Sequence, residues 1–145
     1  MANVLYTASA TAHGGRSGKV TSENGHLALD LTVPKELGGP GGAGTDPEQL
    51  FAAGYAACFM SALSLVARRA KVEVTGATVT GEVSLSPNGA GGFVLGVSLI
   101  VALPGVDREV ANQLIAQAHQ VCPYSNATRG NIEVALVLAE SVASS

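Results

Sequence analysis

The order of apolar and polar positions predicts one long helix as the central element of the chain. Residues 50–67 carry no charged side chain, whereas a helix on the surface of a small domain shows a polar stripe. Asp46 can serve as its N-cap, Pro47 fits the first helical position and Gln49 stands where a capping-box partner belongs. We therefore predict a helix over residues 45–70 that is buried nearly all round.

Short strands are predicted ahead of this helix. Residues 3–12 contain the β-branched and aromatic side chains of a strand, and residues 19–22 and 26–33 are two further candidates. The last two flank the dipeptide Asn24-Gly25, which is typical of a hairpin turn. The N-terminal third of the chain is therefore predicted to form short strands joined by tight turns.

A second hairpin is predicted after the helix. Apolar residues alternate with polar ones along residues 71–85, and residues 93–103 hold strict period-two spacing. The glycine-rich segment 87–92 turns the chain between these two stretches. We expect the two strands to pair in antiparallel fashion.

The last part of the chain adds a helix and a strand. Asp107 is placed to cap a helix that runs to about residue 121, where Pro123 ends it, and residues 132–138 form a final strand. This order of elements predicts an α+β fold, an antiparallel sheet packed by a long buried central helix and a second helix. With 145 residues and no linker, we expect a single domain over residues 1–145.

Composition and charge narrow the possible partners. Hydrophobic residues make up 47% of the chain and charged residues 13%, well below the usual quarter, so a second subunit is expected to cover apolar surface. The net charge of -3 leaves no basic stripe and argues against a nucleic-acid partner. The start of the chain lacks the pattern of a signal peptide, and the long helix is rich in alanine and interrupted by Gly54, Ser61 and Ser64. We expect a cytoplasmic protein without a membrane span.

A literal G-x-G-x-x-G within residues 39–44 raises the possibility of a dinucleotide site. Asp46 and Glu48 would place negative charge where the pyrophosphate sits, and Pro47 lacks the N–H group that would help to bind it. The downstream elements are also predicted to form hairpins rather than the crossovers of a parallel sheet. We interpret the glycines as a flexible loop, and a nicotinamide oxidoreductase remains a remote alternative.

Two cysteines, Cys58 and Cys122, are the candidates for chemistry. A buried thiol can be inert, and burial raises its pKa, but a pair of thiols in a cytoplasmic protein can also be catalytic or redox-sensing. The three histidines show no ligand spacing relative to the cysteines, which argues against a metal site. A reactive Cys58 would need a nearby cation, and periodicity does not choose among Arg16, Lys19, Arg68, Lys71, Arg108 and Arg129.

Cys122 differs from Cys58 in its surroundings. It lies where a predicted helix breaks at Cys-Pro, before Tyr124-Ser125-Asn126, so we expect an irregular backbone that can move. A mobile thiol near a buried one is what a resolving cysteine requires. The residues alone thus leave a two-cysteine redox protein as one interpretation beside inert core cysteines.

Four segments carry a family resemblance. H-G-G-R-S-G at 13–18, L-D-L-T-V-P-K-E-L-G-G at 29–39, T-D-P-E-Q-L-F-A-A-G-Y-A-A-C-F at 45–59 and V-C-P-Y-S-N-A-T-R-G-N at 121–131 resemble the organic hydroperoxide resistance proteins of the OsmC superfamily. The resemblance runs nearly end to end and in the same order. The one departure that we notice is Asp46, where we would expect Asn, and either residue caps a helix.

The resemblance implies a thiol-dependent peroxidase that reduces organic hydroperoxides to alcohols. Cys58 would be the peroxidatic cysteine and Cys122 the resolving one, while Arg16 would activate the thiolate and Glu48 would hold Arg16 in place. It further implies an intertwined homodimer with two active sites at the subunit interface, recycling by a lipoyl dithiol, and no metal or organic cofactor. Two alternatives stay open: an OsmC-type peroxidase of broader specificity, and a redox-switch binding protein with little turnover.

The spacing of Glu48 and Cys58 raises a question about the site. They are ten residues apart, which on one straight helix separates them by about 15 Å along the axis, too far for direct contact. Either an extended Arg16 bridges them, or Arg16 and Glu48 come from the partner subunit. We prefer the second hypothesis.

Overall fold

A computed structural model describes residues 3–140 of the chain, and it divides them after Leu50 into two compact units. We call them the N-terminal unit and the C-terminal unit and describe each by itself. Both ends of the predicted single domain, residues 1–2 and 141–145, lie outside the described part. The expectation of one domain therefore stays a prediction.

The N-terminal unit contains a three-stranded antiparallel sheet in the order β1-β2-β3. Its strands are β1 Ala10–His13, β2 Lys19–Ser22 and β3 Ala28–Asp30, so the predicted strands exist but the first and third are shorter than expected. The predicted Asn24-Gly25 turn is confirmed. The Asn24 side chain accepts a hydrogen bond from the backbone N–H of His26, and Gly25 adopts a φ of 77° that favours glycine.

The N-terminal sheet buries very little of itself. Among residues 3–50 only Leu31 and Asp46 are buried. The segment leading into β1 exposes large apolar side chains, with Val4 79%, Leu5 97% and Tyr6 81% accessible. Because such a small sheet is stabilised mainly by an apolar face packed on a core, these strands lack within their own unit the burial that would hold them.

The predicted long helix is confirmed as α1, Pro47–Arg69. The side chain of Asp46 accepts a hydrogen bond from the Gln49 N–H at 2.8 Å, which confirms Asp46 as N-cap. The Gln49 side chain does not reach back to the cap, because its oxygen accepts the Thr45 hydroxyl at 2.7 Å instead. The helix ends at Arg69 and is followed by a turn in which Lys71, a non-glycine residue, has a φ of 59°.

The chain itself buries one face of α1 and leaves another accessible. The accessible stripe contains Ala53, Ala57 and Ser61, spaced four residues apart on one side of the helix. The helix is long and apolar enough to cross a membrane by length and composition, and 33% of its most apolar window is buried. The buried side chains of α1 are Tyr55, Phe59, Ala62, Leu63, Val66 and Ala67.

The C-terminal unit contains a second three-stranded sheet, in the order β4-β5-β6. The hairpin of β4 Thr78–Pro87 and β5 Phe93–Ala102 is antiparallel, as predicted. Strand β4 begins later than expected because residues 71–77 form turns, with Gly76 at a φ of 77°. Strand β6 Val134–Leu138 pairs with β5 in parallel, which the sequence analysis did not predict.

The parallel pair follows from the helices between β5 and β6, because a crossover of this length returns the chain to the same end of the sheet. The expectation of hairpins rather than crossovers therefore holds for β4 and β5 and is wrong for β5 and β6. The charges of Asp46 and Glu48 and the missing N–H group of Pro47 still argue against a dinucleotide site.

The core of the C-terminal unit lies between one face of the sheet and the helices. On β5 the inward positions are Val97, Leu99 and Val101, in the period-two spacing that predicted this strand. Helix α2, Arg108–Val121, begins at Asp107, whose side chain accepts hydrogen bonds from two backbone N–H groups, as predicted. It contributes a buried face that consists of Ala111, Leu114, Ile115 and Ala118.

Gly81 explains how closely β4 approaches α1. A Cβ atom at this position would lie 2.8 Å from the carbonyl oxygen of Ala52, which real side chains do not tolerate. The strand therefore contacts the helix through backbone, and this contact holds the N-terminal half of α1, where the accessible stripe begins, against the sheet.

Candidate active site

The two cysteines lie together in the C-terminal unit. Cys58 is on α1, and its sulfur is 3.5 Å from the sulfur of Cys122, with both thiols free. Cys122 is fully buried and Cys58 is half-buried. A disulfide requires the two sulfurs to approach to about 2.0 Å, so a small movement would join them.

Cys122 is positioned by a helix that the sequence did not predict. The chain does not become irregular after α2, because Pro123–Thr128 forms a third helix, α3, with Pro123 in its first turn. Cys122 is the C-cap of α2 and the N-cap of α3, and it has an extended backbone with ψ of 122°. The predicted irregular backbone is thus a single non-helical residue between two helices.

The surroundings of Cys58 act on its thiol in opposite directions. Burial raises its pKa above the usual value, the backbone N–H of Tyr124 lowers the pKa, and the neighbouring Cys122 raises it, with a net increase. None of these three influences is a cation. The C-terminal unit, over residues 51–140, therefore leaves Cys58 mostly protonated near neutral pH and weak as a nucleophile.

Arg16 and Glu48 form a bidentate ion pair in the N-terminal unit. The two guanidinium nitrogens donate to the two carboxylate oxygens at 2.7 and 2.9 Å. Arg16 lies in a short 3₁₀ turn between β1 and β2, directly after Gly15, whose φ is 58°. Glu48 is in the first turn of α1, next to the N-cap, where a negative charge is favourable.

The ion pair fixes the charges of both groups. The hydrogen bonds from Arg16 lower the pKa of Glu48, and the carboxylate in turn raises the pKa of Arg16. The Arg16 side chain remains 39% accessible while that of Glu48 is 18% accessible. The structure thus brings the four predicted site residues together as two pairs, Arg16 with Glu48 and Cys58 with Cys122, each inside its own unit.

Three aromatic side chains form a cluster on the segments that carry the two cysteines. Tyr55 packs against Phe51 and Tyr124, with ring centroids 6.3 and 5.5 Å apart, in edge and tilted arrangements. Tyr124 covers Gly54, where a Cβ atom would meet the Tyr124 hydroxyl at 2.7 Å. Phe51 is half-buried, and Phe59 is fully buried in the core.

A buried group of three hydroxyls was not foreseen as part of the site. The Tyr55 hydroxyl lies 2.8 Å from the Ser125 hydroxyl and 3.1 Å from the Thr128 hydroxyl. All three side chains are buried. A buried tyrosine needs a hydrogen-bond partner, and residues 125 and 128 stand one turn apart on a helix. With α3 known, these two facts would have pointed to the hydroxyl group.

Metal ligands do not gather anywhere in the part of the chain that the structure describes. Among residues 3–140, no group of three or more His, Cys, Asp or Glu side chains is placed to hold a metal ion. The candidate reacting and polar groups described above are the two thiols, the Arg16–Glu48 pair and the hydroxyl groups.

Sequence comparison identifies relatives along nearly the whole chain. The family model described as OsmC-like protein matches residues 39–137. The organic hydroperoxide resistance protein of Xanthomonas axonopodis pv. citri is 52% identical over 94% of this chain and 96% of its own length. The organic hydroperoxide resistance protein OhrB of Bacillus subtilis is 49% identical over 92% of this chain and 98% of its own length.

Solved structures show the same fold in close relatives. An organic hydroperoxide resistance protein from Elizabethkingia anophelis, crystallised with thiocyanate bound, is 52% identical and superposes with a TM-score of 0.92 over 97% of this chain and 100% of its own. The crystal structure of OhrB of Bacillus subtilis is 47% identical and gives 0.85 over 94% and 100%. The predicted α+β class and the predicted resemblance are both confirmed. This chain belongs to the organic hydroperoxide resistance proteins of the OsmC-like family, which defend cells against oxidative stress.

Proposed function

We propose that this protein is a cytoplasmic thiol-dependent peroxidase that reduces organic hydroperoxides to alcohols. The observation that carries the proposal is the pair of free sulfurs 3.5 Å apart, one half-buried and one fully buried. A substrate can reach a half-buried thiol, whereas the buried thiol is protected until the first one has reacted. Close relatives named for organic hydroperoxide resistance support the same substrate class.

In the first step the Cys58 thiolate attacks the distal oxygen of the hydroperoxide. The O–O bond breaks, two electrons pass from sulfur to the peroxide, and Cys58 becomes a sulfenic acid. The other oxygen leaves as an alkoxide and takes up a proton to give the alcohol. The aromatic cluster of Phe51, Tyr55 and Tyr124, on the segments that carry the two cysteines, suits an apolar peroxide better than hydrogen peroxide.

In the second step the Cys122 sulfur attacks the sulfenic sulfur of Cys58. A disulfide forms and the hydroxyl leaves as water, which restores the atom and electron balance of one peroxide reduced per disulfide formed. A lipoyl dithiol then attacks the disulfide, releases both protein thiols and leaves as a cyclic disulfide. The 3.5 Å separation means that neither sulfur has far to move.

Arg16 supplies the cation that Cys58 lacks within its own unit. A guanidinium beside the sulfur would favour the thiolate and lower a pKa that burial raises. Glu48 would hold the guanidinium plane through its two hydrogen bonds. Because Glu48 stays ionised at neutral pH, the pair keeps a fixed orientation while one edge of Arg16 remains accessible.

The protein acts as an intertwined homodimer. Two surfaces support a second copy as the partner: the N-terminal sheet with exposed Val4, Leu5 and Tyr6, and the small-residue stripe of α1. Small residues on a helix allow another backbone to approach closely. A molar mass twice that of the chain in solution is expected, and a monomer at micromolar concentration would contradict this part of the proposal.

The proposal is tested by counting free thiols after one equivalent of cumene hydroperoxide, with hydrogen peroxide as the comparison. Fast loss of both thiols with the organic peroxide, reversed by dihydrolipoamide, is expected, and Cys58→Ser should keep its remaining thiol. Thiols that stay titratable on unfolding would overturn the peroxidase.

Two further outcomes separate the alternatives. Equal rates with both peroxides would indicate an OsmC-type peroxidase of broader specificity. One oxidation without repeated turnover in the presence of dithiol would indicate a redox switch.

A further inference from the structure

The buried hydroxyl group of Tyr55, Ser125 and Thr128 joins the two elements that carry the cysteines. Tyr55 is on α1, one turn before Cys58, while Ser125 and Thr128 are on α3, which begins at Cys122. We propose that the Tyr55 hydroxyl is a positioning group that holds α3 so that the Cys122 sulfur stays within reach of Cys58. This inference rests on the proposed peroxidase chemistry and concerns which fate the sulfenic acid meets.

Helix α3 needs such support because it is short. Six residues are too few for a helix to be stable by itself in water, and its N-cap has no side-chain hydrogen bond. The two hydroxyl contacts from Tyr55, at 2.8 and 3.1 Å, tie the middle and the end of α3 to α1. The Thr128 hydroxyl also donates to the Ser125 carbonyl at 3.3 Å, so the network closes on the helix itself.

The position of α3 determines two atoms that face Cys58. Its N-cap supplies the Cys122 sulfur, and its second residue, Tyr124, supplies the backbone N–H that lowers the pKa of the Cys58 thiol. A tilt of α3 would therefore move the resolving sulfur and the hydrogen-bond donor together. Misplacement of a reacting group by about 1 Å is enough to slow an intramolecular step by one to two orders of magnitude.

A second tie keeps α3 folded when the first is removed. The Arg129 guanidinium donates to the His119 carbonyl at 2.9 Å and to the side chain of Asn126, which connects α3 with the end of α2. Loss of the Tyr55 hydroxyl is therefore expected to loosen α3 against α1 without unfolding it.

The chemical consequence concerns a competition for the sulfenic acid. Attack by Cys122 gives the disulfide and water, while attack on a second hydroperoxide gives a sulfinic acid and a second alcohol, which dithiols do not reverse. If Cys122 is less well placed, the first reaction slows and the second gains. The network thus determines how much peroxide is needed to over-oxidise Cys58 to the sulfinic acid.

The test compares Tyr55→Phe with the parent protein and with Ser86→Ala, which removes a hydroxyl from an exposed serine of the same unit. Stopped-flow measurement of disulfide formation and mass spectrometry of the product under excess cumene hydroperoxide are the readouts. We expect Tyr55→Phe to form the disulfide about tenfold more slowly and to accumulate sulfinic acid on Cys58.

A triple variant separates positioning from stability. Tyr55→Phe with Ser125→Ala and Thr128→Val leaves no buried hydroxyl without a partner, so its melting temperature should recover toward that of the parent. Its over-oxidation should nevertheless remain high, because α3 is still not tied to α1. If Tyr55→Phe does not fold, Ser125→Ala alone tests the same contact through the partner hydroxyl.

The outcomes are distinct. Disulfide formation at the parent's rate in Tyr55→Phe or in the triple variant would overturn the positioning role while leaving the peroxidase intact. A parent protein that loses no thiols would overturn the proposed function itself. Recovery of both melting temperature and disulfide rate in the triple variant would mean that the hydroxyls serve stability only.

Discussion

The two units of the chain differ in how they bury their residues and in which part of the chemistry they carry. The C-terminal unit has a core of strands and helices around Leu99 and contains both sulfurs. The N-terminal unit has an accessible sheet, only two buried residues within 3–50, and the Arg16–Glu48 pair. The candidate reacting sulfurs thus lie in the unit with a buried core, and the candidate activating charge lies in the unit that buries only two of its described residues.

Under the proposed function, this difference makes activation of the thiol depend on assembly. A thiol whose pKa is raised by burial is nearly inert, which protects it from chance oxidation. If the cation arrives on a sheet that is stable only against a partner subunit, the thiol becomes reactive only in the assembled protein. Substitutions in one unit at a time can support or contradict this interpretation.

The largest expected effect is on the core of the C-terminal unit. Leu99 is fully buried, so Leu99→Ala should reduce the free energy of unfolding by about 2–5 kcal/mol at every protein concentration. Leu5 is 97% accessible in the chain, and Leu5→Ala should act mainly on association, with a loss that grows as the protein is diluted. Thermal unfolding at two protein concentrations measures both. A concentration-independent loss in Leu5→Ala would contradict the dependence of the N-terminal unit on a partner.

The next effect is on the reactivity of Cys58. Arg16→Ala should slow thiol oxidation at neutral pH by at least about tenfold, since one unit of thiol pKa changes the thiolate fraction tenfold. The pH profile of the rate should move to higher pH, because the thiol loses the cation that lowers its pKa. Arg16→Lys is the matched control, because it keeps the charge but loses the bidentate contact with Glu48. Its rate of thiol oxidation should lie between those of the parent and of Arg16→Ala. An unchanged pH profile in Arg16→Ala would remove Arg16 from the site.

Mixed dimers show which subunit provides the charge. Cys58→Ser subunits combined with Arg16→Ala subunits should have about half the parent activity per mixed dimer if the site is shared, because one of two equivalent sites is then complete. Purified mixed dimers carrying two different affinity tags give the measurement. Activity no greater than that of the two parent variants would mean that each site uses its own Arg16.

The smallest expected effect is on the ion pair itself. The pKa of Glu48 is lowered by Arg16, so the pair contributes stability above the usual glutamate pKa and loses it as the pH falls through the lowered pKa. Because Arg16 is partly accessible, this contribution should not exceed about 1 kcal/mol. Glu48→Gln should be slightly less stable than the parent near neutral pH and equal to it in strong acid. A difference that persists in acid would point to a cause other than charge.

Local signals predicted much of the fold. Asp46 and Asp107 cap helices, Asn24-Gly25 forms a hairpin turn, and the period-two spacing along β5 gives a strand whose alternate side chains are buried. Each of these depends on residues only a few positions apart. Such interactions can be read from a pattern because the backbone geometry of one turn or one strand determines them.

Features that depend on distant residues could not be predicted in the same way. The parallel direction of β6 depends on how α2 and α3 cross the sheet, and the partners of the Tyr55 hydroxyl are 70 and 73 residues further along the chain. The site residues Cys58, Cys122, Arg16 and Glu48 followed from family motifs, not from periodicity. Among them the pairing of Arg16 with Glu48 could be anticipated only through that resemblance.

Cys122 forms the joint between two helices, and this position affects how its sulfur can move. It is the one non-helical residue between α2 and α3, with backbone hydrogen bonds running from it into each helix. In the proposed cycle, rotation about the side-chain bonds of Cys122 would carry its sulfur over the short distance to Cys58 while both helices keep their internal hydrogen bonds. Thiols and disulfide would then interconvert without melting and rebuilding secondary structure at each turnover.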